Sequence, residues 1–247
     1  MFMRIIFLSL LIVCTLPVCA QISVGVVGGY SSTALRISDR EQFGDIGGPA
    51  STPSEKSLFD PKWHAGLIAD IHLVKGFYLQ PRLLLSRKGD EKEYRVGANG
   101  FYHITNDKTN LTYLELPLNL LYKKSLGRGK LAVGAGPYFA KALSGKYSTH
   151  RSSRDENAAT LIITEYRDQG KIEITNKQPA LIPSPQYAPF YYKPYDAGLN
   201  FIAGYECKNG LLFNVNYSLG LADVYTYSPE KRRNRYFGLS AGYLFKL

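Results

Sequence analysis

Three ionisable residues, Asp70, Arg82 and Glu115, fall at the same alternation phase of three successive apolar-rich segments. That phase sets one guanidinium between two carboxylates, an arrangement in which one Arg fork satisfies both acids. Charges inside a membrane-embedded wall serve either such a network or a path for protons or ions. The network is the reading preferred here, because an unpaired buried charge is expensive and partners are at hand. The four histidines, His64, His72, His103 and His150, are scattered, and although His72 follows Asp70 on one face, two residues of one strand do not make a triad. No G-x-S-x-G elbow accompanies them, so no catalytic residue is assigned. Scattered histidines and one cysteine beyond residue 20 give no metal-ligand spacing, and no cofactor is expected.

Two further groups have chemistry suited to contact. The run Lys231, Arg232, Arg233, Asn234, Arg235 concentrates cations that suit lipid or lipopolysaccharide phosphates, with a solvated basic loop as the competing reading. Tyr187, Phe190, Tyr191, Tyr192 and Tyr195 are interleaved with prolines in the stretch 179–195. Exposed, they suit recognition of protein or sugar; packed down, they would cover the mouth of whatever carries them.

The elements that must position these residues alternate with period two, as strands do. Eight such segments occur: 22–30, 63–73, 77–86, 113–122, 131–140, 196–207, 211–222 and 236–247. In each, one face is apolar while the other is small or polar and includes Asp70, Arg82, Glu115, Glu206 and Lys246. Segments of about 9 to 11 residues match tilted membrane-crossing strands. The expected fold is therefore an all-β, eight-stranded antiparallel up-and-down transmembrane barrel, closed so that no backbone edge meets hydrocarbon.

Connection lengths alternate accordingly. Long ones at about 38–61, 87–112, 144–194 and 223–235 are expected outside the cell, and short ones at 75–76, 123–130 and 208–210 in the periplasm with both termini. Within the longest, alternation on both sides of Asp168-Gln169-Gly170 predicts a hairpin turning there. Aromatics gather near the strand ends, with Tyr30, Trp63, Phe139, Tyr217 and Phe237 at one edge and Phe77, Tyr122, Tyr205, Tyr243 and Phe245 at the other, as interfacial girdles should.

Composition agrees. A chain of 247 residues with 13% aromatics, 23 glycines and 20% charged residues is too aromatic for disorder, and a mean hydropathy of −0.16 excludes a polytopic helical membrane protein. The one long apolar run follows Arg4 and ends in Val18-Cys19-Ala20, the pattern of a signal peptide over 1–20 cut before Gln21. A membrane anchor or lipidation at Cys19 are the competing readings. Cleavage leaves residues 21–247 as the barrel domain, with Cys207 its single thiol and 29 basic against 20 acidic residues once Arg4 is removed from the 30. In an exported protein that surplus favours anionic lipid or polysaccharide over nucleic acid.

The segments Tyr113-Leu-Glu-Leu-Pro-Leu-Asn-Leu-Leu-Tyr122, Gly134-Ala-Gly-Pro-Tyr138 and Asp196-Ala-Gly-Leu-Asn-Phe-Ile-Ala-Gly-Tyr-Glu206, with Asn209-Gly210 and Tyr217-x-x-Gly220-Leu221, resemble PorT-like outer membrane β-barrel proteins of the Bacteroidetes. The resemblance implies the barrel, an integral outer membrane location and, through the family's named member, a link to the type IX secretion system, with secretion or envelope proteins as partners. The last strand departs from the common aromatic ending, having Leu247 after Phe245 and Tyr243. Together these readings describe a non-enzymatic interaction or assembly component; the alternative is an outer membrane enzyme acting on envelope lipid.

Overall fold

A computed structural model describes residues 21–38, 54–57, 60–98, 101–155, 162–177, 191–226 and 231–246; the leader expected over 1–20 lies outside them. Their strands are β1 (Ile22–Ser38), β2 (Ser54–Ser57), β3 (Pro61–Val74), β4 (Phe77–Ala98), β5 (Phe101–Leu126), β6 (Gly129–Asp155), β7 (Ile162–Lys171), β8 (Glu173–Ile174), β9 (Tyr191–Tyr192), β10 (Tyr195–Cys207), β11 (Leu211–Gly220) and β12 (Lys231–Lys246). Eight of them close a ring of antiparallel neighbours in the order β1, β3, β4, β5, β6, β10, β11, β12 and back to β1.

Closure requires a stagger. The register row starting at Ile22 passes through Ile71, Leu79, Leu120, Ala135, Phe201, Tyr217 and Phe237 and returns to β1 at Ser32, ten residues further along. Every residue of that row before Ser32 is apolar, so one continuous hydrocarbon-compatible band winds round the outside. Alternation then assigns the two faces. Leu67, Leu83, Leu120 and Phe201 are exposed, while Asp70, Arg82, Glu115, Asn119, Asn200 and Asn216 are buried. A water-soluble sheet does the reverse.

The tight turns share one end of the ring. Lys75 (φ 42°) and Gly76 (φ 88°) join β3 to β4 with the left-handed pair that a two-residue hairpin needs. Gly127-Arg128 joins β5 to β6, and Lys208-Asn209-Gly210 joins β10 to β11, where Leu211 N–H donates to Asn209 Oδ1 at 3.2 Å.

At the other end, much of what the sequence reads as loop is ladder. The stretch 87–112 continues β4 and β5, paired from Arg87↔Thr112 to Ala98↔Phe101, and β6 runs on to Asp155. The hairpin expected at Asp168-Gln169-Gly170 does not form: these residues lie inside β7, opposite Thr149, Ser148 and Tyr147 of β6. The prolonged edge of β6 offers β7 a ten-pair ladder, and Tyr147 covers Gly170, where an added Cβ would approach the ring to 2.8 Å. A wall of β4 to β7, with β2 on β4, therefore rises past the ring.

Candidate functional site: charged lumen, capped mouth and basic outer wall

Inward side chains fill the ring in tiers. Nearest the tight turns, Lys123 Nζ lies 2.7 Å from both Asp70 Oδ2 and Glu206 Oε2, with its charge 4.5 Å from the centre of the Tyr78 ring. Gln80 Nε2 donates to Asp70 at 3.1 Å, and Gln80 Oε1 accepts from Arg82 Nη2 at 2.8 Å. Amides occupy the middle: Arg82 Nη1 donates to Asn216 Oδ1 at 3.2 Å, Asn200 Nδ2 to Asn119 Oδ1 at 2.9 Å, and Ser218 Oγ to Asn200 Oδ1 at 2.8 Å. Above them Lys88 Nζ pairs with Glu115 at 3.2 Å and Asp196 at 3.6 Å, lying 4.5 Å from the Tyr138 ring centre.

The pairing expected among Asp70, Arg82 and Glu115 is thus corrected. All three face the lumen, but the carboxylates are held by Lys123 and Lys88, and Arg82 is held by amides. An interior this narrow holds side chains rather than a wide channel. Apolar residues complete it: Val27, Ile68, Leu84, Leu212 and Leu244 form a buried hydrophobic cluster.

His64 has the most reactive-looking surroundings. Its Nε2 is 2.8 Å from Ser240 Oγ and its Nδ1 is 3.1 Å from the Tyr236 hydroxyl. A nucleophile needs access to a substrate carbonyl, whereas Ser240 is buried, faces the lumen and also accepts from Asn216 Nδ2 at 2.6 Å. His72 packs on Tyr78 with ring centres 4.8 Å apart, away from any triad geometry. Among the described residues no three His, Cys, Asp or Glu side chains gather as a metal site.

The mouth opposite the tight turns is covered. β8 and β9 pair in parallel, and Ile172, Tyr192, Val224 and Tyr225 pack on Leu111, Tyr113 and Tyr138 of the ring. Backbone bonds tie the cover together: Lys193 N–H to Val224 C=O at 2.8 Å and Thr226 N–H to Tyr191 C=O at 3.1 Å. Burial would raise the Asp223 carboxyl, but hydrogen bonds from Lys193 Nζ at 2.5 Å and from the Arg232 and Tyr225 amides hold it below its ordinary range. Asp60 is likewise held low against burial by Lys62 and Lys108. Asp90 differs: burial dominates and raises it despite Lys92 and Arg232.

The aromatic group expected as an exposed contact surface divides. Tyr187 and Phe190 lie outside the described residues; Tyr191 is half-buried, Tyr192 is fully buried against Tyr225 with ring centres 5.4 Å apart, and Tyr195 is exposed on the outer wall. Tyr192 is therefore part of the cover. The basic run divides as well, because alternation on β12 sends neighbours to opposite faces. Lys231, Arg233 and Arg235 share the outward phase of Phe237, whereas Arg232 shares the inward phase of Asn234 and lies with its charge 4.2 Å from the Tyr225 ring centre.

A family model described as outer membrane protein beta-barrel domain matches residues 19–226. The chain belongs to that family. It is an integral outer membrane β-barrel protein, which accounts for the exposed apolar band and the buried polar tiers. No curated protein matches the sequence. Among solved structures, it is similar to Ail of Yersinia pestis in complex with the heparin analogue sucrose octasulfate (8% identity, 91% of this chain and 99% of that one, TM-score 0.38). It is also similar to Neisserial surface protein A (10% identity, 92% and 97%, TM-score 0.35) and to OprG from Pseudomonas aeruginosa (11% identity, 92% and 95%, TM-score 0.35).

Sequence reasoning missed Lys88, Lys123 and Asp196 as members of the lumen network. Lys123 falls within a stretch read as a turn and Lys88 within one read as a loop. The inward phase extended past Ser86 and Leu121 would have found them both.

Proposed function

We propose that this outer membrane barrel is a non-enzymatic interaction or assembly component that acts through its hairpin end, with no cofactor and no nucleic acid partner. The observation that carries this reading is the combination of a side-chain-filled lumen with a wall of β4 to β7 standing beyond the apolar band. A barrel with nothing to conduct and a long built surface at one rim is suited to contact. Three tight turns at one rim support an orientation with both termini in the periplasm and the hairpin end outside, over a mature domain of 21–247 that follows a signal peptide of 1–20.

Two kinds of partner fit. Lys231, Arg233 and Arg235, outward beside Phe237, suit outer membrane lipid or lipopolysaccharide. The protruding wall, with exposed Tyr102, Ile163 and Tyr166, suits an envelope protein. That such a partner belongs to type IX secretion rests on the PorT-like residue pattern of 113–138 and 196–221 alone. An enzyme acting on envelope lipid needs reactive groups converging at the membrane edge, and the Ser240–His64 contact faces the lumen instead.

The test is crosslinking in intact cells from a photoreactive residue at position 163, with and without the β4–β5 tip. The expected result is one specific envelope protein captured only when the tip is present, together with no solute-sized conductance in planar bilayers. Release of fatty acid or phosphate from envelope lipid by the pure protein, or a stable wide pore, would sink the reading.

A further inference from the structure

Cations inside the barrel are matched. Lys62 pairs with Asp60, Lys88 with Glu115 and Asp196, and Lys123 with Asp70 and Glu206. Two outward cations near the hairpin end are not, although Lys108 and Arg95 further up the wall have Glu91 and Glu93. Arg87 on β4 and Lys141 on β6 have neither a hydrogen bond nor an ion pair among the described residues.

These two are held in a defined relation. One register row crosses four strands as Tyr195, Lys141, Leu114 and Leu85. Arg87 stands two residues beyond Leu85 on the same outward face, opposite Thr112. The two cations thus flank β5, two inter-strand spacings across and two residues apart along the strands, about 12 Å apart at the backbone. The register of β5 and β6 shifts between Thr112 and Tyr113, putting an extra residue of β6, Leu143, just above Lys141. Such bulges at barrel rims re-aim side chains. Below the cations, Leu85 and Leu114 are exposed and apolar; beside Lys141, Tyr195 is 62% exposed.

We propose that Arg87 and Lys141, with Thr112 between them and Tyr195 alongside, form a seat for one phosphorylated glycolipid of the outer leaflet. Two cations on either side of β5 meet two phosphates of its headgroup, and Leu85 and Leu114 meet its acyl chains. An outward cation without a protein partner at an apolar boundary is satisfied by an anionic headgroup, and an aromatic ring at that level prefers the same interface. This seat is two strands wide and separate from β12, which lies three strands from either β4 or β6 around the ring. It rests on the orientation in which the hairpin end faces the cell exterior.

The test uses the full mature chain folded in detergent micelles, with lipid retention read by native mass spectrometry. The probes are bis-phosphorylated lipid A, the same lipid with both phosphates removed, and phosphatidylglycerol. Near an anionic surface each cation is worth about fivefold in binding, so Arg87→Gln with Lys141→Gln should weaken lipid A by about 25-fold. Removal of the phosphates should weaken it comparably. Lys124→Gln, an exposed outward cation at the tight-turn end, should leave binding unchanged, and heat-dependent gel mobility checks that each variant folds. Equal retention of lipid A by the folded double variant, or of the phosphate-free lipid or phosphatidylglycerol by the wild type, overturns the seat. Loss of lipid A only in a Lys231, Arg233 and Arg235 variant also overturns it while leaving the β12 contact standing. Labelling of the hairpin end from the periplasm only would refute the orientation, independently of the binding result.

Discussion

Replacing Lys88 by Met should destabilise the barrel more than replacing its whole ionic tier. Lys88 is 1% exposed and its ammonium is the cation between Glu115, at 3.2 Å, and Asp196, at 3.6 Å. Met fills similar volume but leaves two carboxylates facing each other in a buried lumen. Removing one member of a buried pair costs about 3 to 5 kcal/mol. Glu115 keeps the Ser86 hydroxyl at 2.6 Å, and Asp196 keeps the Tyr138 hydroxyl at 3.1 Å and Asn234 Nδ2 at 2.8 Å. These surviving bonds set the cost near the lower bound, about 3 kcal/mol. The triple variant Lys88→Met, Glu115→Gln and Asp196→Asn removes all three charges together and keeps acceptors for the same donors, so it should lie within about 1 kcal/mol of the wild type. Urea titration in vesicles measures both, read by gel mobility and by the fluorescence of Trp63, the single tryptophan. A Lys88→Met barrel within about 1 kcal/mol of the wild type, or a triple variant less stable than the single one, would refute ionic matching as the basis of lumen packing.

Two other predictions concern the cover. Arg232→Ala should cost about 1 to 2 kcal/mol in the same titration through its lost contact with the Tyr225 ring, whereas Arg233→Ala, one residue on but outward, should stay within about 0.5 kcal/mol. The carboxylates predict opposite signs with pH. Asp60 and Asp223 are held below their ordinary 3.8, so their contribution is present at neutral pH and is lost as pH falls through those lowered values. Asp90 is raised, so its contribution is complete below 3.8 and is lost as pH rises through its folded value. At pH 7, proteolysis of the hairpin end should therefore be faster in Asp223→Asn and slower in Asp90→Asn. Identical rates in the two variants would contradict the assignment.

The ring was legible because lipid and lumen impose opposite demands on alternate residues, and alternation is a local signal. Leu114, Leu116, Leu118 and Leu120 against Glu115, Asn119 and the lumen-facing Pro117 announce both the strand and its faces. The rising wall was not legible, because past Arg87 and Thr112 both faces are free of lipid and the pattern loses its contrast. There the strands are held by pairing with neighbours far along the chain. Phe101 opposite Asp155 is one such pair, and Asp155 opposite Ile162 continues the ladder across β7.

Partnering inside the lumen fails to appear in the sequence for a related reason. Alternation states that Asp70, Arg82 and Glu115 point inward, but which groups meet depends on the stagger of the ring. With a displacement of ten residues per circuit, side chains at one level come from positions that drift steadily from strand to strand. Asp70 therefore meets Lys123, two strands away, and Glu206, on the far side of Lys123, completes that tier. Arg82, at the level of Asn216, finds amides. The same drift acts on the outer face, where Lys141 and Arg87 come level although 54 residues separate them in the chain. Inside, the drift brings Lys88, Lys123 and Arg82 to carboxylates or amides; outside, it brings Arg87 and Lys141 together with no acid between them. Since both faces share one set of backbone registers, the unmatched outer charge is a property of residue choice, and a headgroup layer of phosphates is the environment in which that choice is favourable.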